Sequence, residues 1–357
     1  MNVLIFPSSV DESVRLAADA RRSGDVVIGS SSLAVDPNAA FFDRWEHLPY
    51  LGEQDFLTKL CELIEREGIQ EIATPHSPTY LALEQSLPRI LPGVSLRGTS
   101  PYGAQMERVS RANAEGARCA LIVDGIADKE NSIPVGLLSA ILAQADQIHG
   151  ECTKEKLLAI CGIFSDSPRG DVIEIGSLFG KSAYVLNRLA THFGVGATLA
   201  VDPWDMETSV QKDSSVLIQQ YTRVWDWNRI FDGFLLTMQA CCCGDFNYIR
   251  ASSMSAYGQY DGGAVVVSEQ FGRTELAGSI AILHIDGNHD ESAVRLDFDL
   301  WAQKLAPGGW IIFDDYEWTH GDGPKVVADE VVGKYAGFVE RKFVAGGALF
   351  VKMSSTG

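Results

Sequence analysis

Asp171-Val172-Ile173-Glu174-Ile175-Gly176-Ser177-Leu178-Phe179-Gly180-Lys181-Ser182 is the stretch whose reading decides the fold. Its first five residues read as a buried β-strand, and the run after Gly180 opens a helix. Between them the two glycines permit a tight turn and let backbone N–H groups approach a ligand. A dinucleotide fingerprint reads G-x-G-x-x-G. This loop reads E-x-G-x-x-x-G and lacks the middle glycine that lets a pyrophosphate come close. Glu174 at the strand end is a poor neighbour for phosphate and a good one for a cationic or hydroxyl-rich ligand.

Downstream, strand-like runs recur at Thr198–Val201, Tyr248–Arg250, Ile280–Ile285 and Trp310–Phe313, with helical patterns between most of them. Alternating strands and helices imply a parallel sheet covered on both faces. The end differs: Val339–Val344 and Ala348–Lys352 flank Ala345-Gly346-Gly347, a β-hairpin signal. The fold expected is α/β, a doubly wound sheet that is parallel except for an antiparallel terminal hairpin. A helix over Lys154–Phe164 and a turn at Pro307-Gly308-Gly309 belong to the same pattern.

Upstream, strands at Val3–Phe6, Val26–Ile28 and Ile69–Ala73 alternate with helices at Asp11–Arg22, Phe56–Arg66 and Ser77–Leu91. This predicts a smaller N-terminal α/β domain over residues 1–125, and a second domain over 126–357 with leading helices. The first loop of the small domain is Pro7-Ser8-Ser9, with no glycine-rich turn. A structural, assembly or substrate-framing role is expected for it, with His76 a capping or core histidine.

The whole chain of 357 residues carries Lys+Arg 29 against Asp+Glu 47, a formal charge of -18, and both halves are acidic. Such a surface repels phosphate backbones and anionic lipid, so nucleic acid and membranes are poor partners. Hydrophobic residues at 46% exclude a disordered chain. Seven cysteines, including the run Cys241-Cys242-Cys243, form no C-x-x-C pair and no disulfide framework. No stretch nears the roughly 20 apolar residues of a membrane span. The N-terminus reads as a strand rather than a signal peptide. The expectation is a cytoplasmic protein.

The chemistry-bearing residues fall at strand ends. Asp202 ends the second strand of the larger sheet, where a ribose diol would lie or where a turn would be capped. Ser252 and Ser253 follow the third, where small residues can border an adenine and where Ser-Ser is equally ordinary loop chemistry. Asp286-Gly287-Asn288-His289 follows the fourth strand, and Asp314-Asp315 the fifth. Adjacent parallel strands end at one rim, so these acids should converge, with His289 one turn away. Clustered carboxylates repel unless a cation or protons compensate. An all-oxygen set suits a hard ion, Mg²⁺ above all. Asp314-Asp315 or His289 could instead cap a helix, and His320 is a runner-up base or ligand.

These motifs resemble the class I S-adenosylmethionine-dependent methyltransferases over about residues 150–357. Within them the set resembles the metal-dependent O-methyltransferases of macrolide sugars, of the mycinamicin and macrocin type. The resemblance implies that Gly176, Ser177 and Gly180 wrap the methionine part of the cofactor, with Glu174 beside its ammonium. It further implies Asp202 on the ribose, Ser252 and Ser253 along the cofactor, Asp286, Asp314 and Asp315 as metal ligands, and His289 as general base. Those enzymes also carry an N-terminal domain used in assembly, and residues 1–125 resemble it in architecture only. The expected activity is methyl transfer to a hydroxyl of a small molecule or sugar by a homo-oligomer. Two other classes compete. A nicotinamide-dependent oxidoreductase is disfavoured by the missing glycine, and a non-catalytic cofactor-binding or assembly protein by the intact acid and histidine set.

Overall fold

The computed structural model describes residues 1–127, 131–263 and 265–355. The chain forms two compact units, Met1–Arg111 and Ala112–Gly357. The division falls within the helix Pro101–Ile126, earlier than the expected 125/126 boundary. The later part of that helix buries Cys119, Ala120 and Val123 in the core of the second unit.

In the first unit, five parallel strands line up in the order β3-β2-β1-β4-β5. They are β1 (Asn2–Ile5), β2 (Val26–Ser31), β3 (Arg44–His47), β4 (Glu71–Ala73) and β5 (Ser95–Leu96). The helices Asp11–Arg22, Phe56–Glu67 and Ser77–Ile90 lie where the apolar spacing places them. The edge strands β3 and β5 escape the sequence reading. Arg44-Trp45-Glu46-His47 has no apolar alternation, and β5 has only two residues. His76 precedes the third helix, and its Nδ1 lies 2.8 Å from Thr79 Oγ1.

The second unit is built on a seven-stranded sheet. Its strands are β6 (Asp171–Ile175), β7 (Thr198–Val201), β8 (Phe246–Ile249), β11 (Ile280–Ile285), β12 (Leu305–Phe313), β13 (Val339–Ala345) and β14 (Ala348–Met353). A separate antiparallel ribbon, β9 (Val265–Ser268) and β10 (Gly272–Glu275), was not legible in the sequence. The sheet order is β13-β14-β12-β11-β6-β7-β8. Strands β12, β11, β6, β7 and β8 are parallel, and β14 pairs antiparallel with both β12 and β13. The expected Rossmann-like sheet with a terminal hairpin is what the chain forms. The turn expected at Pro307-Gly308-Gly309 is instead part of β12, with Gly308 at φ +80.

Every residue of β6 and β11 is buried, because both faces of this sheet are covered. One core gathers Leu186, Phe234 and Trp310, the other Ile173, Leu283 and Trp301. From β6 the chain runs outward through β7 and β8, then returns to β11 on β6's other side. That reversal opens a crevice at the carboxyl ends of β6 and β11, the usual ligand position in such sheets.

Gly176 makes the crevice possible. Its φ is +85, and a Cβ there would lie 2.0 Å from the Asp286 carbonyl oxygen. The loop after β6 therefore lies directly against the segment after β11 only because no side chain intervenes. Gly176→Ala combines an unfavourable φ with a backbone clash, so it should cost about 3 kcal/mol or more. Urea denaturation checks this, and a loss under 1 kcal/mol would show that the two loops separate easily.

Candidate active site

A cavity of about 610 Å³ opens at this crevice. Gly176, Ser177 and Leu178 line it from the loop after β6, Asp202 from the end of β7, and Ser252 and Ser253 from the loop after β8. Asp286 and His289 line it after β11, and Asp314 and Asp315 after β12. Two residues expected to touch a ligand are not among its walls. Gly180 is the left-handed N-cap of the helix Lys181–Phe193. Glu174 is fully buried beneath the loop, accepting from Ser177 Oγ at 2.6 Å and lying 3.1 Å from His284 Nδ1.

Asp202 has a double setting. Its Oδ2 accepts from the N–H groups of Ser177 and Leu178 at 2.9 and 3.1 Å, and its Oδ1 from Trp204 N–H at 2.7 Å. Burial pushes its pKa up to about 6, against these three N–H donors. The carboxylate thus clamps the β6 loop to the β7 loop, with these donors filling three of its about four acceptor sites. Ser252 caps the helix Ser253–Gly262, accepting from Ser255 N–H.

The carboxylates beside them are compensated by two buried cations. Lys156, 2% exposed on the helix Lys154–Ile163, donates through Nζ to Asp314 Oδ2 and lies 3.4 Å from Asp286 Oδ2. His284, inside β11, places Nε2 at 3.7 Å from both Asp286 Oδ2 and Asp314 Oδ2, while its Nδ1 faces Glu174. Burial presses the His284 imidazole down, but Asp314, Glu174 and Asp286 outweigh it and raise it to about 9. Burial and the Asp314 charge push Asp286 up to about 7. Asp314 is buried too, yet the Lys156 ammonium holds it well below the usual carboxylate range.

His289 stands opposite. Its Nδ1 is 3.2 Å from Asp315 Oδ2 and 3.3 Å from Gln211 Nε2. Its Nε2 is buried with no hydrogen-bond partner, 3.8 Å from Asp286 Oδ1. The charge-assisted contact with Asp315 is the stronger of the two at Nδ1, which assigns the proton there and the lone pair to Nε2. Burial depresses this imidazole, and the Asp286 and Asp315 carboxylates more than offset it, so it stands above its ordinary value. Trp318 packs edge-on at 4.9 Å between ring centroids. His289 caps no helix: the N-cap of Glu291–Trp301 is Asp290, whose carboxylate accepts instead from Lys212 and Asp213 N–H. His320 is tied to Ser215, 3.0 Å from its Oγ, and does not line the cavity.

Sequence reasoning missed Lys156, His284 and Gln211. A histidine inside the apolar run Ile280–Ile285 was a legible signal, since a buried polar group needs partners. Lys156, two residues into a helix, looks like any surface lysine. Gln211 sits in a segment with no motif.

A divalent ion fits the donor set. His284 Nδ1 or Nε2 with Asp286 and Asp314 carboxylate oxygens all lie within 4.8 Å of one another. Asp286, Asp314 and Asp315 line the cavity there with carboxylate oxygens, which are suitable ligands for Mg²⁺.

Residues 173–316 match the family described as a methyltransferase domain. That match over residues 173–316 agrees with the methyltransferase class that the resemblance implied. A 67-residue stretch is 42% identical to uncharacterized protein R132 of Acanthamoeba polyphaga mimivirus, covering 17% of this chain and 30% of that protein. The chain thus matches under a third of that relative's length. Among solved structures, the O-methyltransferase NovP is similar at 14% identity and TM-score 0.40, over 56% of this chain and 79% of that one. The calicheamicin methyltransferase CalS11 is similar at 12% identity and TM-score 0.40, over 68% and 91%. The mycinamycin-pathway methyltransferase MycE, solved with Mg, SAH and mycinamycin VI, is similar at 15% identity and TM-score 0.31, over 53% and 46%. These three likenesses are distant, and the chemistry of the site rests on this chain's own residues. Among the described residues no helix is long and apolar enough to cross a membrane.

One further acid lines the cavity. Asp297 is 4% exposed on the helix Glu291–Trp301, and burial pushes it up to about 7 against a hydrogen bond from Ser253. The folded chain therefore holds this proton more tightly than the unfolded chain, whose Asp titrates near 3.8. Stability is full below about pH 4, falls as the unfolded Asp ionises, and levels off above about pH 7. Asp297→Asn removes that loss, so above pH 7 it should exceed wild type by on the order of 2–4 kcal/mol, with the gap closing by pH 4. Denaturant titrations across this range test it; a gap that does not change with pH contradicts the assignment.

Proposed function

We propose that the methyltransferase domain transfers the methyl group of S-adenosylmethionine to a hydroxyl of a small molecule or sugar, assisted by a divalent ion, Mg²⁺ above all. The observation that carries this reading is the partnerless His289 Nε2 beside Asp286 at a cavity shared with the Gly176 loop and Asp202. Ser177, Asp202, Ser252 and Ser253 would border the cofactor, with the spare acceptor of Asp202 on its ribose. Gly176, whose Cβ would strike Asp286, brings the cofactor loop against the acid cluster. Glu174 and Gly180 serve this arrangement from behind, holding Ser177 and starting the next helix.

Asp286, Asp314 and Asp315 would hold the ion, whose charge lowers the pKa of an acceptor hydroxyl and orients it. An acceptor with two neighbouring oxygens, a vicinal diol or a catechol-like pair, suits such a site. With Asp286 engaged by the ion, part of the carboxylate support that raises the His289 imidazole would be withdrawn, which favours its base form. Its Nε2 would take the proton of the acceptor hydroxyl as that oxygen accepts the methyl group from the cofactor sulfur, which would leave as S-adenosylhomocysteine. Asp315 keeps the imidazole oriented through Nδ1, in the manner of the carboxylate in a catalytic triad. Tyr221, Trp225 and Trp227 add an aromatic wall to the cavity, from the segment after β7. That wall favours an acceptor with an apolar ring system beside its hydroxyls.

S-adenosylhomocysteine formation over a panel of glycosides and catechols tests the reading. His289→Ala should lower kcat by roughly 10²–10⁴ while leaving cofactor affinity intact. Chelator and Asp286→Asn should each abolish turnover. Unchanged turnover in chelator together with a fully active Asp315→Asn would falsify the metal's part in it.

A further inference from the structure

Lys156 is placed by structure on three sides. Thr153 caps its helix, with its Oγ1 accepting from Lys156 N–H at 3.2 Å and donating to the Gly346 carbonyl at 3.2 Å. The turn between β13 and β14 closes over it: a Cβ on Gly346, at φ +59, would lie 2.5 Å from Lys156 N and 3.0 Å from Lys156 Cβ. Its ammonium then ends between two carboxylates that belong to different strands, bonded to Asp314 Oδ2 and 3.4 Å from Asp286 Oδ2. A flexible lysine on a surface finds a carboxylate by chance. This one is 2% exposed, with its ammonium enclosed beside both carboxylates.

We propose that Lys156 is a resident cation of the Asp286–Asp314 pair, holding the two carboxylates together before a divalent ion arrives and competing with that ion for Asp314. The proposal rests on the metal-assisted reading above and adds what sets the strength of the site. Two like-charged carboxylates buried side by side would separate or take up protons without a counter-charge. Lys156 supplies that charge permanently. A metal reaching Asp286 and Asp314 must share Asp314 with an ammonium and tolerate its repulsion, so binding is weak and reversible. The lysine also explains why Asp314, deeper and nearer the ammonium, differs from Asp315, which turns to His289.

Mn²⁺ affinity, read by electron paramagnetic resonance on the full-length protein without substrate, tests this directly. Lys156→Gln removes the competitor and should bind Mn²⁺ at least about tenfold more tightly than wild type, as expected for a unit charge a few ångströms from the ion. Its Tm should also rise more with Mn²⁺ than that of wild type, by linkage. Equal or weaker affinity in the variant overturns the proposal. If wild type binds no Mn²⁺ and works unchanged in chelator, the metal-assisted reading falls; Lys156→Gln gaining Mn²⁺ would still support the competition, and its failure to gain any would overturn both. Should Lys156→Gln not fold, the ¹⁵Nζ resonance of Lys156 in wild type decides. Saturating Mg²⁺ should shift it as Asp314 turns to the ion, and an unresponsive resonance overturns the proposal.

Discussion

The balance of charge at the ends of β6, β11 and β12 is the constraint on which the rest of the second unit depends. Glu174, Asp286 and Asp314 sit on three adjacent strands, and none could stay ionised in so dry a place alone. His284 bridges them, with one nitrogen toward Glu174 and the other toward Asp286 and Asp314. Lys156 enters from a helix outside the sheet. Charge therefore links the strand order to the preceding helix and, through Thr153 and Gly346, to the terminal hairpin. The hairpin that ends the sheet is part of the same polar assembly as the acids.

The segment Asp286–Asp290 is where these constraints meet the cavity. Asp286 N–H bonds to the Ile175 carbonyl and Asp314 N–H to the Ile285 carbonyl, continuing the sheet's pairing into the loops. Asn288 donates to the carbonyls of Thr208 and Val210, and Asp290 accepts from Lys212 and Asp213. The segment after β7 is thereby laid across the cavity, bringing Gln211 to His289 and the aromatic residues 221–227 to the wall. One segment thus carries both the group that meets His289 and the aromatic wall.

The range of each interaction decides whether the sequence reveals it or hides it. The β6 strand, its glycine loop and the terminal hairpin are local patterns, so their residues announce them. The convergence of Asp286, Asp314 and Asp315 comes from strand adjacency, a topological rule rather than a local one. Lys156 becomes visible only once the helix before β6 is docked, because its partners are 130 and 158 residues away in sequence. Asp202 shows the opposite difficulty. Its position suggested a ribose contact or a turn cap, and the structure gives the carboxylate cap-like work, on loops from two strands at once. The edge strands β3 and β5 and the β9–β10 ribbon left no mark because short edge elements need little apolar surface.

Backbone strain points to the same rim. Among the described residues, Leu178, Trp204 and Asp315 are the non-glycine residues with positive φ, at +47, +45 and +49. Each follows a parallel strand of the larger sheet, and each costs on the order of 1–3 kcal/mol unless its surroundings hold it. Asp202 holds two of them, accepting from Leu178 N–H and Trp204 N–H, and Trp204 Nε1 returns a bond to the Leu178 carbonyl at 2.9 Å. Asp314 holds the third, its Oδ1 accepting from Asp315 N–H at 2.9 Å. Carboxylates therefore bend the loops as well as line the cavity. Fixing Asp315 in this conformation turns its side chain toward His289 Nδ1 rather than toward Lys156. The division of labour between the paired acids, one on the ammonium and one on the imidazole, thus begins in a single backbone angle.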